Sequence, residues 1–193
     1  YLIGPILNAG GRLGKSNYAT ELLSTDNQLL LNKRTKQLIK LNNQRKKIEE
    51  EIINKINFSK IEKENHNIII YYHPNINEGL IGIIAARLKD YFNKTSIVIT
   101  SSGNLLKGSA RSNINYNIGH VIKKTLDKGI ILNGGGHNMA AGFSLEKNKL
   151  KLFESFLNKD FSSKKKSDKN FFTYDSEILF SAINKEFYNN IKK

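Results

Sequence analysis

Residues 67–100 read NIIIYYHPNINEGLIGIIAARLKDYFNKTSIVIT. Asn67–Tyr72 is a short run of apolar and aromatic residues of the buried-strand type. Leu80–Phe92 carries an apolar face at helical spacing, with Asn77 placed to cap it. Thr95–Thr100 is a second strand-like run. A strand, a helix and a strand in so short a space argue for an α/β layer. Toward the C-terminus the alternation continues. Leu105–Ser112, Ile130–Leu132 and Ala140–Leu145 read as strands, and Ile118–Leu126 and Leu150–Leu157 as helices. The expected fold class is therefore α/β, a mixed sheet flanked by helices.

Toward the N-terminus the pattern changes. Thr25-x-x-Gln28 has the form of a capping box. Leu38, Leu41, Ile48, Ile52 and Ile56 then recur with period 3.6, and Lys and Glu fill the positions between. This predicts one long amphipathic helix over about residues 26–57, roughly 45 Å long at 1.5 Å per residue. Its length suits a connector between compact units, and a simple surface helix is the plainer alternative. Residues 1–20 are Gly-rich and read as irregular. Ser162–Lys169 reads as a polar, Lys-rich linker. Phe171–Lys193 holds a strand-like and then a helix-like piece, too short to close a core of its own.

The chain has 193 residues, 39% hydrophobic and 25% charged. That composition fits a globular protein and excludes collagen-like or wholly disordered classes. No apolar run reaches the roughly 18–20 residues a bilayer requires, and no secretory leader is visible. The sequence starts at Tyr1 rather than Met, so it is expected to be a piece of something longer. It has no cysteine, which excludes disulfides and thiolate sites and fits a reducing cytoplasm.

Net charge is +14, which favours a polyanionic partner, nucleic acid being the commonest. A codon bias toward Lys, Asn and Ile would produce the same excess. Arginine is more informative, because only five occur among 31 basic residues. A background that drifts toward Lys should keep Arg where a planar, bidentate donor is needed. Arg12 lies in Gly10-Gly11-Arg12-Leu13-Gly14 and Arg111 in Gly108-Ser109-Ala110-Arg111-Ser112. Guanidinium beside close-approach backbone suits an anionic ligand, or else a loop tie. On a strand, Ser109 and Arg111 share a face, and a hydroxyl beside a guanidinium makes a phosphate clamp. Gly134-Gly135-Gly136-His137 sets three glycines, whose N–H groups can approach a phosphate, next to an imidazole able to donate or move a proton. Ala140-Ala141-Gly142 permits tight packing beneath. No metal-ligand or nucleophile–base pattern stands out, and the four histidines lack a carboxylate at ligand spacing.

Taken together, GPILNAGGRLG, EGLIGIIAARL, GSARS and GGGHNMAAGFSL resemble the second half of RecJ-type single-strand-specific exonucleases, of the DHH phosphoesterase superfamily. Leu41-Asn42-x-x-Arg45 and Ile48-Glu49 fit the family's connecting helix. The resemblance covers about residues 1–160. It implies that residues 1–25 end a DHH domain, 26–60 form the connector helix, 61–160 form the DHH-associated domain, and 161–193 form a linker and lead-in to an OB-fold domain. It also implies a 5′→3′ exonuclease acting on single-stranded DNA in repair and recombination. Such an enzyme would be a cytoplasmic, monomeric protein with Mn²⁺ or Mg²⁺ bound by the DHH domain. By the resemblance, Ser109 and Arg111 hold a phosphate, Gly134, Gly135, Gly136 and His137 face the metal site, and Asn8 and Arg12 lie in the motif that ends the first domain. This chain is then expected to grip substrate, to be inactive alone, and to supply no metal ligands. Two departures stand out: Ile6 replaces an arginine, and Ile76-Asn77 replaces a Trp-His pair. Two other readings remain: a DHH-family oligoribonuclease or nucleotide phosphatase, and a non-catalytic RNA- or tRNA-binding module.

Overall fold

The structure, a computed structural model, describes residues 2–64, 66–163, 174 and 176–192. The N-terminal part is helical: α1 (Ile3–Arg12), α2 (Asn17–Ser24), α3 (Gln28–Lys55) and α4 (Phe58–Glu64). The stretch expected to be irregular therefore forms two helices. Glycine is a poor helix former, but Gly10 is dictated by packing. A Cβ there would meet the Lys15 carbonyl oxygen at 2.5 Å and Leu38 of α3 at 3.3 Å.

The long helix expected over about residues 26–57 is one helix of 28 residues, about 42 Å long. Its cap is Asn27, not Thr25. The Asn27 side chain accepts from the N–H of Leu29 and of Leu30 at 3.0 and 3.1 Å, while Thr25 Oγ1 accepts only from Asn27 N–H. Residues 58–64 form the separate helix α4 rather than a continuation. Leu38 and Ile56 are buried, and Ile48 and Ile52 pack partly buried against the α/β unit.

That unit runs β1 (Ile68–Tyr72), α5 (Ile81–Phe92), β2 (Thr95–Ser102), β3 (Leu105–Arg111), α6 (Ile118–Asp127), β4 (Asn133–His137), β5 (Ala140–Glu146) and α7 (Leu150–Ser163). The sheet order is β1-β2-β3-β5-β4. β1 and β2 are parallel and the remaining pairs antiparallel, so the sheet is mixed and flanked by helices, as expected. β2 has apolar core on both faces. Ile97 and Ile99 join Val121, Ile122, Phe153 and Leu157 under α6 and α7. Val98 joins Ile84, Ala85 and Leu88 under α5.

Two local expectations change. The strand placed at Ile130–Leu132 lies instead at 133–137, and the glycine triplet is inside it. Ile130 and Ile131 are buried in the turn before the strand. Asn77 does not cap α5. Its side chain accepts from Gly79 N–H at 2.8 Å and shapes the turn ahead of the helix. Beyond α7, most of the Ser162–Lys169 linker and Phe171–Thr173 fall outside the described residues. A short helix α8 (Lys185–Ile191) follows.

Candidate functional site

Burial alternates along β3 and β5. Leu106, Ala110, Ala141, Phe143 and Leu145 point into the core beneath α6 and α7. Gly108 faces the same way, since a Cβ there would strike the Phe143 ring at 2.1 Å, and the remaining residues of these strands share the opposite face, where α5 packs on β2 and β3. The register then fixes what lies across it. Lys107 pairs with Ser144, Ser109 with Gly142 and Arg111 with Ala140. Ser144 in turn pairs with Asn133, Gly142 with Gly135 and Ala140 with His137. One sheet face therefore carries three rows, and Arg111 and His137 bound one of them, two strands or about 10 Å apart.

The floor of the middle row is glycine. A Cβ on Gly135 meets nothing within 4 Å, and one on Gly142 meets only a carbonyl at 3.9 Å. Gly134 and Gly136 differ. They point to the core side, where a Cβ would strike Ile131 at 2.7 Å and the Ala140 carbonyl oxygen at 2.3 Å respectively. Of the triplet, Gly135 alone opens toward the Ser109–Arg111 face.

Five arginines divide by partner. Arg34 is paired with Glu21 and stacks over Tyr18. Arg45 and Arg87 both bind Glu49 at 2.8 Å. Arg12 and Arg111 have no carboxylate at ion-pair distance among the described residues. Arg111 Nη1 donates to Ser109 Oγ at 3.2 Å and to the Ala110 carbonyl at 2.8 Å. Arg12 Nη1 donates to the Gly79 carbonyl at 3.0 Å. Gly79 and Gly82, at the head of α5, seat them. A Cβ on Gly79 would strike the Arg12 backbone at 2.2 Å, and one on Gly82 would sit 3.0 Å from Arg111 Nη2 and 3.2 Å from Ser109 Oγ. Burial lowers both guanidinium pKa values. Arg45 lowers that of Arg12 further, Glu49 opposes, and Arg12 lowers that of Arg111. Both remain cations at neutral pH, so two partly desolvated positive groups that feel each other's charge stand without a carboxylate in ion-pair contact among the described residues. Such an arrangement has the chemistry of an anion site.

Lys107, on the same face, is neutralised by Glu78 at 2.6 Å. The hydrogen bond from Lys107, and then one from Ser102, hold the Glu78 carboxyl below its ordinary pKa. Asn8 is exposed on α1, one helical turn before Arg12 and on the same side of the helix. His137 ends β4 and is exposed. It lines an open hollow of about 560 Å³ with Asn117, His120 and Lys123 of α6, and with Met139. The Asn138–Met139 turn between β4 and β5 is held by its backbone: Ile118 N–H donates to the Asn138 carbonyl and Ser112 N–H to that of Met139. Met139 is 50% exposed.

Of the departures, Ile76 is a core residue, whereas Ile6 sits partly buried on α1. No group of three or more His, Asp or Glu side chains able to hold a metal converges among the described residues. The site residues that the sequence did not single out as such are Gly79, Gly82, His120, Lys123 and Arg87. Arg45 and Glu49 entered the sequence reading only as residues that fit the connecting helix, although their i, i+4 spacing places opposite charges one turn apart. The reach from Glu49 to Arg87, 38 residues away, left no local signal.

The DHHA1 domain family matches residues 65–163. Over 162 residues the chain is 36% identical to the single-stranded-DNA-specific exonuclease RecJ of Escherichia coli K12, a match covering 80% of this chain and 28% of that protein. It is 29% identical to the RecJ of Bacillus subtilis 168 over 150 residues, 76% of this chain and 19% of the relative. The crystal structure of Thermus thermophilus RecJ in complex with Mn²⁺ superposes with a TM-score of 0.74 at 25% identity, over 84% of this chain and 24% of that one. The chain thus spans under a third of the length of these relatives.

Proposed function

As a member of the DHHA1 domain family, this chain is, we propose, the substrate-gripping part of a RecJ-like 5′→3′ single-stranded DNA exonuclease. The observation that carries this reading is the seating of Arg12 and Arg111, both without a carboxylate at ion-pair distance among the described residues, on two glycines of one helix start. Beside them lies a glycine-floored sheet face that ends at His137. An extended polynucleotide lies on such a floor with its phosphates within reach of the guanidiniums and of Ser109, and its bases are not read. The contacts are therefore ones of position rather than of sequence.

In this reading residues 1–25 close a DHH domain, 26–60 connect it to the DHH-associated domain of residues 61–160, and 161–193 lead into an OB-fold domain. The enzyme acts as a monomer in the cytoplasm, in repair and recombination. Mn²⁺ or Mg²⁺, when bound in the parent enzyme, supplies an activated water and neutralises charge on the phosphate. The described residues of this chain do not form a site for it. Their work is to hold the strand: Ser109, Arg111, Arg12 and Asn8 grip phosphate, Gly134–Gly136 bring backbone close, and His137 orients or protonates at the far side.

The test uses the full-length enzyme and a 5′-phosphorylated single-stranded substrate. Arg111→Ala and Arg12→Ala are expected to lower kcat/KM about ten- to a hundredfold each, from lost hydrogen bonds to a charged group. Unchanged kinetics in both variants would overturn the reading. Equal turnover of a short oligoribonucleotide would favour the oligoribonuclease alternative.

A further inference from the structure

Glu49 is 4% exposed, and its carboxylate sits between two helices. Its Oε2 accepts from Arg45 Nη1 on α3, and its Oε1 from Arg87 Nε on α5, each at 2.8 Å. Arg45 Nε donates onward to the buried Asn42 side chain at 3.2 Å. A buried carboxylate is costly to desolvate, and the two guanidiniums make it tolerable only in this geometry. α5 is the same helix whose start seats the clamp, with Arg12 against Gly79 and Arg111 against Gly82. Arg12 itself belongs to α1, which packs on α3. The two cations therefore reach each other from opposite sides of the α3–α5 contact, and Glu49 is the ion pair that spans it. We propose that Glu49 is a positioning residue for the Arg12–Arg111 clamp, fixing α3 against α5 so that both guanidiniums meet one phosphate. A second effect runs the same way. Glu49 is the negative charge that offsets Arg45 beside Arg12, and without it three arginines repel across the gap.

The proposal rests on the clamp reading, and one double-mutant cycle separates the two. Binding of a 5′-phosphorylated single-stranded oligonucleotide to the 193-residue chain is followed by fluorescence anisotropy. Glu49→Gln makes the chain more positive, so simple electrostatics predicts tighter binding. The proposal predicts weaker binding, by about fivefold, with Arg12→Ala adding little in that background. Tighter binding, or losses that multiply in the double variant, would overturn it. Arg87→Met serves if Glu49→Gln does not fold, because the Arg87 side chain is 67% exposed. It should reproduce the loss with an unchanged circular dichroism spectrum, and Arg87→Lys should recover part of it. If neither Arg12→Ala nor Arg111→Ala weakens binding, the clamp falls and the positioning role falls with it. If both do and the cycle is additive, the positioning role alone is wrong.

Discussion

Lys107 and Arg111 share the open face of β3, but Lys107 donates to Glu78 at 2.6 Å while Arg111 meets hydroxyl and carbonyl oxygens. Arg111→Lys keeps the charge and loses the fork. In the full-length enzyme it is expected to cost about ten- to a hundredfold in kcat/KM, whereas Lys107→Arg should stay near wild type. Comparable activity for both variants would mark Arg111 as a structural tie. The glycine triplet offers a second contrast. Gly136→Ala drives a methyl against the Ala140 carbonyl and should destabilise by about 1–3 kcal/mol in denaturant unfolding. Gly135→Ala has open space above it. It should leave stability within about 0.5 kcal/mol and weaken strand binding. The sequence makes the triplet conspicuous but cannot divide it, because the division depends on which face each glycine takes in the pairing with β5. Arg12 and Arg111 stand out in the sequence for a different reason: a Lys-rich composition leaves few arginines, and these two lie among glycines and small residues.

Elements with side chains on a regular period were readable, and elements built by packing were not. β1, α5, β2, β3 and β5 fall within two residues of the runs that signal them. β4 was missed because three of its five residues are glycine, so it has almost no apolar pattern. The apolar Ile130 and Ile131 just before it drew the assignment instead. α1 was missed because helix propensity cannot anticipate that the Lys15 carbonyl after it comes close enough to require glycine at position 10. The start of α3 was misread by two residues, since Thr25 and Asn27 are both good caps and only the backbone geometry separates them. Asn27→Ala is expected to lower stability by about 1 kcal/mol and Thr25→Ala by less, read from the midpoint of chemical unfolding.

For the whole molecule, the proposed function expects the +14 charge and the proposed clamp to contribute separately to nucleic-acid binding. The bulk excess acts on any polyanion and fades with salt. The clamp acts through a fixed pair. Affinity for single-stranded DNA is expected to fall steeply with ionic strength, and Arg111→Ala should reduce the slope of log K against log salt by about 0.7, the share of one phosphate contact on a single strand. A slope that Arg111→Ala does not move would leave only the bulk charge. The purified chain, incubated with Mn²⁺ or Mg²⁺, is expected to leave a labelled single strand intact. Metal-dependent shortening of that strand would show that this part carries more of the chemistry than its side chains suggest.

The β4–β5 turn has one more consequence. The chain contains a single methionine, and it is Met139, half exposed at the tip of that turn beside His137. A sample labelled with ¹³C at the methionine methyl therefore gives one resonance, which reports from the rim of the site. Its long, flexible thioether samples its surroundings freely, so an arriving strand should shift or broaden that signal without any engineered probe. The same uniqueness lets cyanogen bromide cut the chain once, between the strand that ends at His137 and the strand that begins at Ala140. Each half of the hairpin then stays with its own fragment.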